Sequence, residues 1–407
     1  MGTSVADYRR SIRALLAPLA QREPVVRPLE RALGLALARD LAAPLSLPPF
    51  DNSQMDGFAV QSGDFGARHE GSVRQFAVAK PIPAGAAPVP LGVGQAAPIM
   101  TGAMLPAGAD AVVPVERAQP PRFPDATELS DHARVVLPAA EPGSYVRRAG
   151  SDVAAGDVVL AAGARLGPAQ LGLAAALGLT EVPVRAPLRV AVISTGAELA
   201  ASGQPLLPGQ IYDSNGTLLV AALHEAGIEA RATAVRSDDP DALRAVLADC
   251  AESADLLVTT GGVSKGAFEA TKLALADADV EFVHLAMQPG GPQGIGTVAG
   301  VPFLGFPGNP VSCWVSWEVL LRPVLAELLG SPAARPRLRL PLADPLDSPS
   351  GKLQVRRARL GDDGRVSLVG GPGSHLLGAL AASDALVLAP EDVTELDAGA
   401  DVEVWLL

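Results

Sequence analysis

The chain has 407 residues, enough for two to four domains, and its 48% apolar and 4% aromatic content with 42 Gly and 37 Pro describes a turn-rich α/β and β protein rather than a disordered one. A net charge of −12 with no block of Lys or Arg argues against nucleic acid as a partner. Two cysteines, Cys250 and Cys313, make no disulfide scaffold; Met1 to Arg13 lacks an apolar signal core, and no apolar run reaches about 18 residues, so a soluble, cytoplasmic protein with no membrane contact is expected.

Apolar residues at helical spacing (Tyr8, Ile12, Leu15, Leu16, Leu19) predict a helix over Asp7 to Leu19, and the same pattern predicts a second over Pro28 to Arg39. The prolines between Pro44 and Val60 forbid regular structure, and Asp51, Asn52, Asp56 and Gly57 favour tight turns. Taken locally, a turn explains this stretch better than a site does. Short β-like runs (Val73 to Ala79, Ala111 to Val115, Ala133 to Leu137) then alternate with Pro/Gly turns and suggest an inserted β domain. Within it, Met100-Thr-Gly-Ala-Met104 sets the Thr101 hydroxyl beside a flexible glycine, again most simply a turn. Arg147 and Arg148 can serve an anion, although solvated arginines are commoner. Asp152 reads equally well as a turn residue, and a helical run spans Pro168 to Leu177.

From Leu188 the pattern becomes β-α-β. A strand over Val190 to Ser194 leads into Thr195-Gly-Ala-Glu198. Asp213-Ser-Asn-Gly216 precedes a helix to Ala226, with Gly227 placed as its stop. A strand over Glu229 to Val235 reaches Ser237-Asp-Asp-Pro240, where Asp239 caps a helix and Asp238 stays outside it. Leu256 to Thr260 then runs through Gly261-Gly262 and Ser264 into a helical pattern over Ala267 to Ala278. A strand ending in a glycine turn before a helix aims free backbone N–H groups at one spot, which suits a phosphate or another oxyanion. A strand over Val280 to Leu285, a loop over Gln288 to Gly294 and a strand over Val301 to Phe306 follow. Asn309-Pro310 opens a long helix to Leu329, with a bend expected at Pro323. The alternation argues for a largely parallel sheet whose ligand binds at the carboxyl ends of its strands. Strands return over Lys352 to Leu360, Val366 to Leu368, Ala385 to Leu388 and Val402 to Leu406 as a C-terminal β domain.

Glu198, Asp238 and Glu269 each follow a strand of that sheet. Carboxylates beside a bound phosphate require a cation between them, and hard oxygen ligands select Mg²⁺. Capping explains any one of these acids; it explains all three less well. No zinc-type His/Cys spacing, G-x-S-x-G elbow or P-loop lysine occurs.

Taken together, Phe50-Asp-Asn-Ser-Gln-Met-Asp-Gly-Phe-Ala59, Met100-Thr-Gly-Ala103, Ser194-Thr-Gly-Ala-Glu-Leu199, Tyr212-Asp-Ser-Asn215, Asp238-Asp-Pro240, Thr260-Gly-Gly-Val-Ser264 and Phe306-Pro-Gly-Asn-Pro-Val-Ser312 resemble, in order, the molybdopterin molybdenumtransferase (MoeA) family, similar also to the E domain of gephyrin. The resemblance implies a multidomain α/β and β protein forming an elongated homodimer. It implies a mixed helical domain from residues 1–49 and 141–186 and an inserted β domain over 50–140. A central α/β molybdopterin-binding domain with a mainly parallel sheet would span 187–331, and a C-terminal β-barrel-like domain 332–407. The implied reaction inserts molybdate into adenylylated molybdopterin with Mg²⁺-dependent release of AMP.

The positions matching functional residues of the family are Asp56, Thr101, Asp152, Glu198, Asp238, Glu269, Pro307 and Pro310. Glu198 and Asp238 would serve the metal; Gly261, Gly262, Ser264, Gly308, Asn309 and Ser312 would cradle the cofactor. Asp56 and Thr101 would act across the dimer interface. Many relatives carry aspartate at Glu269 and lysines at His284 and Gln288, so Lys272, Arg147, Arg148 and backbone N–H groups become the candidates for holding molybdate. Partners implied are other proteins of molybdenum cofactor biosynthesis and apo-molybdoenzymes. Two competing readings are a scaffold that binds the pterin without turnover and a molybdopterin adenylyltransferase.

Overall fold

The structure is a computed structural model that describes residues 2–66, 72–125, 127–130, 132–263, 270–330 and 334–407. It divides into two compact units, one of residues 1–39, 162–171 and 181–407, the other of residues 40–161 and 172–180.

In the first unit, helix α1 (Val5–Leu16) opens on Ser4, whose Oγ accepts from the Asp7 N–H at 3.1 Å, and it buries Val5, Tyr8, Ile12 and Leu16. The second helix expected over Pro28 to Arg39 does not form. Gly34 sits there at φ +79°, and the Leu37 and Ala38 N–H groups donate to the carbonyls of Ala164 and Pro183 rather than along a helix. Only a three-residue turn, Leu29–Arg31, survives of the helical pattern.

The centre of this unit is a six-stranded sheet. Its elements in chain order are β1 (Arg189–Thr195), α2 (Asn215–Glu225), β2 (Glu229–Val235), α3 (Pro240–Ala251), β3 (Leu256–Thr260), α4 (Ala270–Ala274), β4 (Asp279–His284), β5 (Met287–Gln288), β6 (Pro292–Val298) and β7 (Val301–Phe306). The strand order is β2-β1-β3-β7-β6-β4. The first four strands run parallel; β6 and β4 add on antiparallel. Strand β6 departs from the expected loop. Its Pro-Gln-Gly-Ile-Gly-Thr-Val composition looks like a turn, yet the two glycines are what let it pair. A Cβ on Gly296 would lie 2.0 Å from the Asp279 carbonyl oxygen, and one on Gly294 would meet the Phe282 ring at 3.0 Å.

The helix opened by Pro310 runs as α5 (Pro310–Val315), a π-helical segment Ser316–Leu321 and α6 (Arg322–Leu329), ending on Gly330 in the left-handed region. The irregularity precedes Pro323 because that residue has no N–H for the Val319 carbonyl four residues back. Arg9 Nε supplies a donor there instead, at 2.6 Å. One apolar cluster packs α1, the sheet and this helix together around Ile12, Val192, Phe306 and Trp317.

The chain then forms β8 (Arg337–Pro341), β9 (Leu353–Leu360), β10 (Val366–Leu368), α7 (Leu377–Ala381), β11 (Ala385–Ala389) and β12 (Asp401–Leu406). The sheet order is β5-β9-β11-β12-β8, with β10 also on β9. Strand β5 thus leaves the α/β region to pair in parallel with β9.

The second unit is built on a five-stranded sheet in the order Ala111–Pro114, Gly57–Val60, Gln95–Ile99, Val73–Val78 and Arg134–Pro138. Phe58, Phe76, Val113 and Leu137 fill its core. Among the described residues no helix is long and apolar enough to cross a membrane.

Candidate functional site

A cavity of about 710 Å³ opens at the carboxyl ends of β1, β3 and β7. Its shape follows from glycines. Gly261 (φ +101°) and Gly262 (φ +66°) end β3 in a bend that other residues adopt only with strain. A Cβ on Gly262 would sit 2.4 Å from Thr271 Oγ1, which donates to the Gly261 carbonyl at 3.0 Å and so ties the bend to α4. A Cβ on Gly308 would come within 3.3 Å of Gly261 Cα, so the loops after β3 and β7 meet backbone to backbone.

Two carboxylates expected here are present. Glu198 and Asp238 both line the cavity, and Asp238 Oδ1 accepts from the Ala197 N–H at 3.2 Å, which joins the loops after β1 and β2. The bend residues Gly261 and Gly262 line it too, as do Gly308, Asn309 and Pro310. Pro307 is buried and Ser312 is 4% exposed; both stand behind the wall rather than in it. Lys272 also lies off the cavity, its Nζ 5.7 Å from the Phe282 ring centroid. Ser264 and Glu269 fall outside the described residues.

Several lining residues were not singled out from sequence. Asp213 brings a third carboxylate and caps α2 by accepting from the Gly216 N–H at 3.0 Å. Asn215 donates to the Gly308 carbonyl at 2.7 Å, while its Oδ1 and the Thr195 Oγ1 are buried without a partner among the described residues. Because Ser214 precedes α2, Asn215 begins it and Asn309 precedes α5, two helix N-termini face the cavity, and both favour anions. His375 and Leu377 from the C-terminal β region complete the lining. Their loop is anchored where the Val311 N–H donates to the Ser374 carbonyl at 3.1 Å. The motif Tyr212-Asp-Ser-Asn215 was a usable signal for Asp213 and Asn215; nothing local marks His375.

His284 and Gln288 lie apart from that lining. The His284 ring packs over Gly291, and Gln288 Oε1 accepts from Gln354 Nε2 at 3.4 Å. Along β9, Arg356 and Arg357 follow Gln354. They are 8% and 1% exposed and donate to the carbonyls of Gly370 and Gly371. Arg356 Nε and Arg357 Nε and Nη1 have no partner among the described residues. Burial pulls both guanidinium groups below their usual value, and Arg356 adds to the effect at Arg357. Buried positive charge of this kind, with N–H groups unspent, suits an oxyanion.

In the second unit, Asp56 Oδ1 accepts from both the N–H and the hydroxyl of Thr101, at 2.7 and 2.8 Å. These two bonds, the backbone one first, hold Asp56 below the usual carboxylate range. Asp152 donates its N–H to the Leu47 carbonyl at 3.0 Å. Arg148 pairs with Asp51 at 2.6 Å, and Arg147 is exposed on a short strand facing Asn52.

The chain matches three family models in series. They are the MoeA N-terminal region (domain I and II) over residues 3–178, a probable molybdopterin binding domain over 191–327 and the MoeA C-terminal region (domain IV) over 339–407. It is 46% identical over 99% of both chains to a protein of Mycobacterium tuberculosis named molybdopterin molybdenumtransferase 2. It is 36% identical to the molybdopterin molybdenumtransferase of Synechococcus elongatus, over 98% of this chain and 99% of that one. Among solved structures, a molybdopterin biosynthesis MoeA protein from Pyrococcus horikoshii superposes with a TM-score of 0.78 at 32% identity, covering 100% of this chain and 99% of that one.

Proposed function

Since the chain belongs to the molybdopterin molybdenumtransferase family, we propose that its glycine-lined cavity binds adenylylated molybdopterin and that the enzyme cleaves the pyrophosphate bond, releasing AMP, as molybdenum from molybdate enters the dithiolene. The protein is a transferase of molybdenum cofactor biosynthesis. One observation carries the finer reading: the Gly261-Gly262 bend, two helix N-termini and the carboxylates of Glu198 and Asp238 share a single cavity. The bend and helix ends suit the phosphates, and Asn309, Pro310 and Gly308 shape the wall against which the pterin rests. Pro307 and Ser312 support that wall from behind.

Mg²⁺ fits this donor set. Among the described residues no group of three or more ligands gathers closely enough to hold an ion alone, and Mg²⁺ characteristically takes one or two carboxylates, substrate phosphate oxygens and waters. Glu198 and Asp238 would hold it, with Asp213 beside them. Bound there, the ion would offset phosphate charge and polarise the bond to be broken. The Asp238 carboxylate, fixed by the Ala197 N–H, orients the nucleotide, and, with the Gly261 N–H held by the Phe306 carbonyl at 3.1 Å, the Gly262 N–H meets charge that builds on the departing phosphate.

Molybdate would sit near Gln288, served by the unspent N–H groups of Arg356 and Arg357 rather than by Lys272, Arg147 or Arg148. What supports this is the run Gln288, Gln354, Arg356 on adjoining strands, with no carboxylate paired to either arginine among the described residues. Asp56 and Thr101 are read as serving the cavity of a second copy in a homodimer, as the family resemblance implies; Asp152 is read as a cofactor contact, and Glu269 and Ser264 keep their expected roles as acid and phosphate ligand. The domain division stated from sequence is retained.

The test is release of AMP from adenylylated molybdopterin with saturating molybdate. Asp238→Ala and Glu198→Ala are each expected to cut the rate by at least about a hundredfold, as removal of a charge-stabilising group does. Wild-type rates in both variants would end this reading.

A further inference from the structure

A second cavity, of about 550 Å³, shares no lining residue with the first. Arg9, Arg10 and Arg13 of α1 and Arg337 of β8 line it, together with Glu327 on the last turn of α6. Three of these arginines lie within five residues of the sequence, and folding adds Arg337 from a distant stretch of an acidic chain.

The arginines are not equivalent. Arg10 pairs with Asp7 and Arg13 with Glu327 at 2.8 Å. Arg9, whose Nε donates to the Val319 carbonyl at 2.6 Å, and half-exposed Arg337 share one indole. The guanidinium carbon of Arg337 lies 4.5 Å from the Trp405 ring centroid and that of Arg9 lies 5.8 Å from it. The acid nearest to Arg337, Glu403, stands 3.9 Å away and already accepts from Trp405 Nε1 at 2.7 Å. Burial first, and then the like charge of Arg337, pulls Arg9 below its usual value, with Glu403 opposing. The carbonyl end of α6 accounts for Arg13 through the helix dipole. It does not account for two guanidinium groups held together on an indole.

Two such groups facing a ligand-sized cavity suit a compact, doubly charged oxyanion, which each planar fork meets with paired N–H donors. We propose that this cleft is a phosphate site distinct from the glycine-lined cavity, with Arg9 and Arg337 gripping a phosphate monoester or diphosphate and Arg10 and Arg13 screening its remaining charge.

Isothermal titration of the full chain with inorganic phosphate, pyrophosphate and AMP tests this. Binding is expected to weaken as salt is added, and to fall about tenfold or more in Arg337→Gln, the loss of one charge-assisted contact. AMP release from adenylylated molybdopterin should keep its wild-type rate in that variant. Should Arg337→Gln not fold, the exposed pair Arg10→Gln/Arg13→Gln decides, with the same drop expected. The proposal is overturned if none of the three probes binds, or if the substitutions remove no binding component from the titration. It is also overturned if Arg337→Gln loses AMP release along with binding, since the two sites would then not be distinct.

Discussion

At Asp56 the chain spends two donors of one threonine on a single carboxylate oxygen, at 2.7 and 2.8 Å. A carboxylate so bonded is a better hydrogen-bond acceptor for the backbone than its exposure suggests, and its proton affinity falls. Its native pKa lies below the unfolded value of about 3.9. Whatever stability it adds is therefore present above that pH and lost as pH falls through the lowered native value. In Thr101→Val the backbone donor stays and the hydroxyl is lost, so the Asp56 pKa should rise part of the way back. Carboxyl-carbon NMR titration reads this; an unmoved value would mean the hydroxyl bond contributes nothing. Individual residues also mark how far sequence reading reached. Glu198, Asp238 and the double glycine were legible because each follows a strand of β-branched or aliphatic residues. Asp213 was legible as a motif but not as a cavity wall. Arg356, Arg357 and His375 were not legible at all, since their meaning depends on β9 and its following loop reaching residues far earlier in the chain.

The long helix after Pro310 shows how one proline reshapes an element. Pro323 withholds a donor from Val319, the helix widens into a π segment over Ser316–Leu321, and Arg9 of α1 donates to the Val319 carbonyl. Arg9→Met should cost about 1–3 kcal/mol, the usual range for depriving a buried acceptor of a donor. Pro323→Ala restores an N–H to the helix. In that background the same Arg9→Met change should cost measurably less, and denaturant melts of the four-protein cycle give the coupling. Equal costs in both backgrounds would refute the exchange of donors. The element most at odds with expectation is β6. Turn-forming composition and a need for bare backbone look alike in sequence, and only the 2.0 Å approach of a would-be Gly296 Cβ to Asp279 separates them. The missing second helix has the same lesson in reverse. Apolar spacing over Pro28 to Arg39 reads as helical, yet N–H groups from it are claimed by residues 164 and 183.

Across the first unit, the β domain after α6 is fastened by a buried ionic knot. Glu318, 0% exposed within the π segment, accepts from Arg335 at 2.8 and 3.0 Å, and Glu225 of α2 pairs with the same arginine at 3.1 Å. Burial works against the charge of Arg335, but the bonds and charge of Glu318, then Glu225, outweigh it. Arg335→Ala should therefore destabilise by roughly 1.5–3 kcal/mol, the worth of hydrogen bonds to a charged group, because Glu318 is left with Arg322 alone at 3.4 Å; a melt within about 1 kcal/mol of wild type, the usual worth of an exposed pair, would contradict this. At this scale the parallel strands and their order along the chain were legible, while β5 crossing to the C-terminal sheet was not, for two residues carry no pairing signal. The placement of the three tryptophans has an optical consequence. Trp314 and Trp317 lie on the helix whose first residue, Pro310, lines the first cavity, whereas Trp405 lies beneath Arg9 and Arg337. Emission from the first pair would register a guest among the glycines, and emission from the third a guest between the arginines. Replacing Trp405 by phenylalanine would split the two signals, giving the molecule two native fluorophore channels with no dye attached.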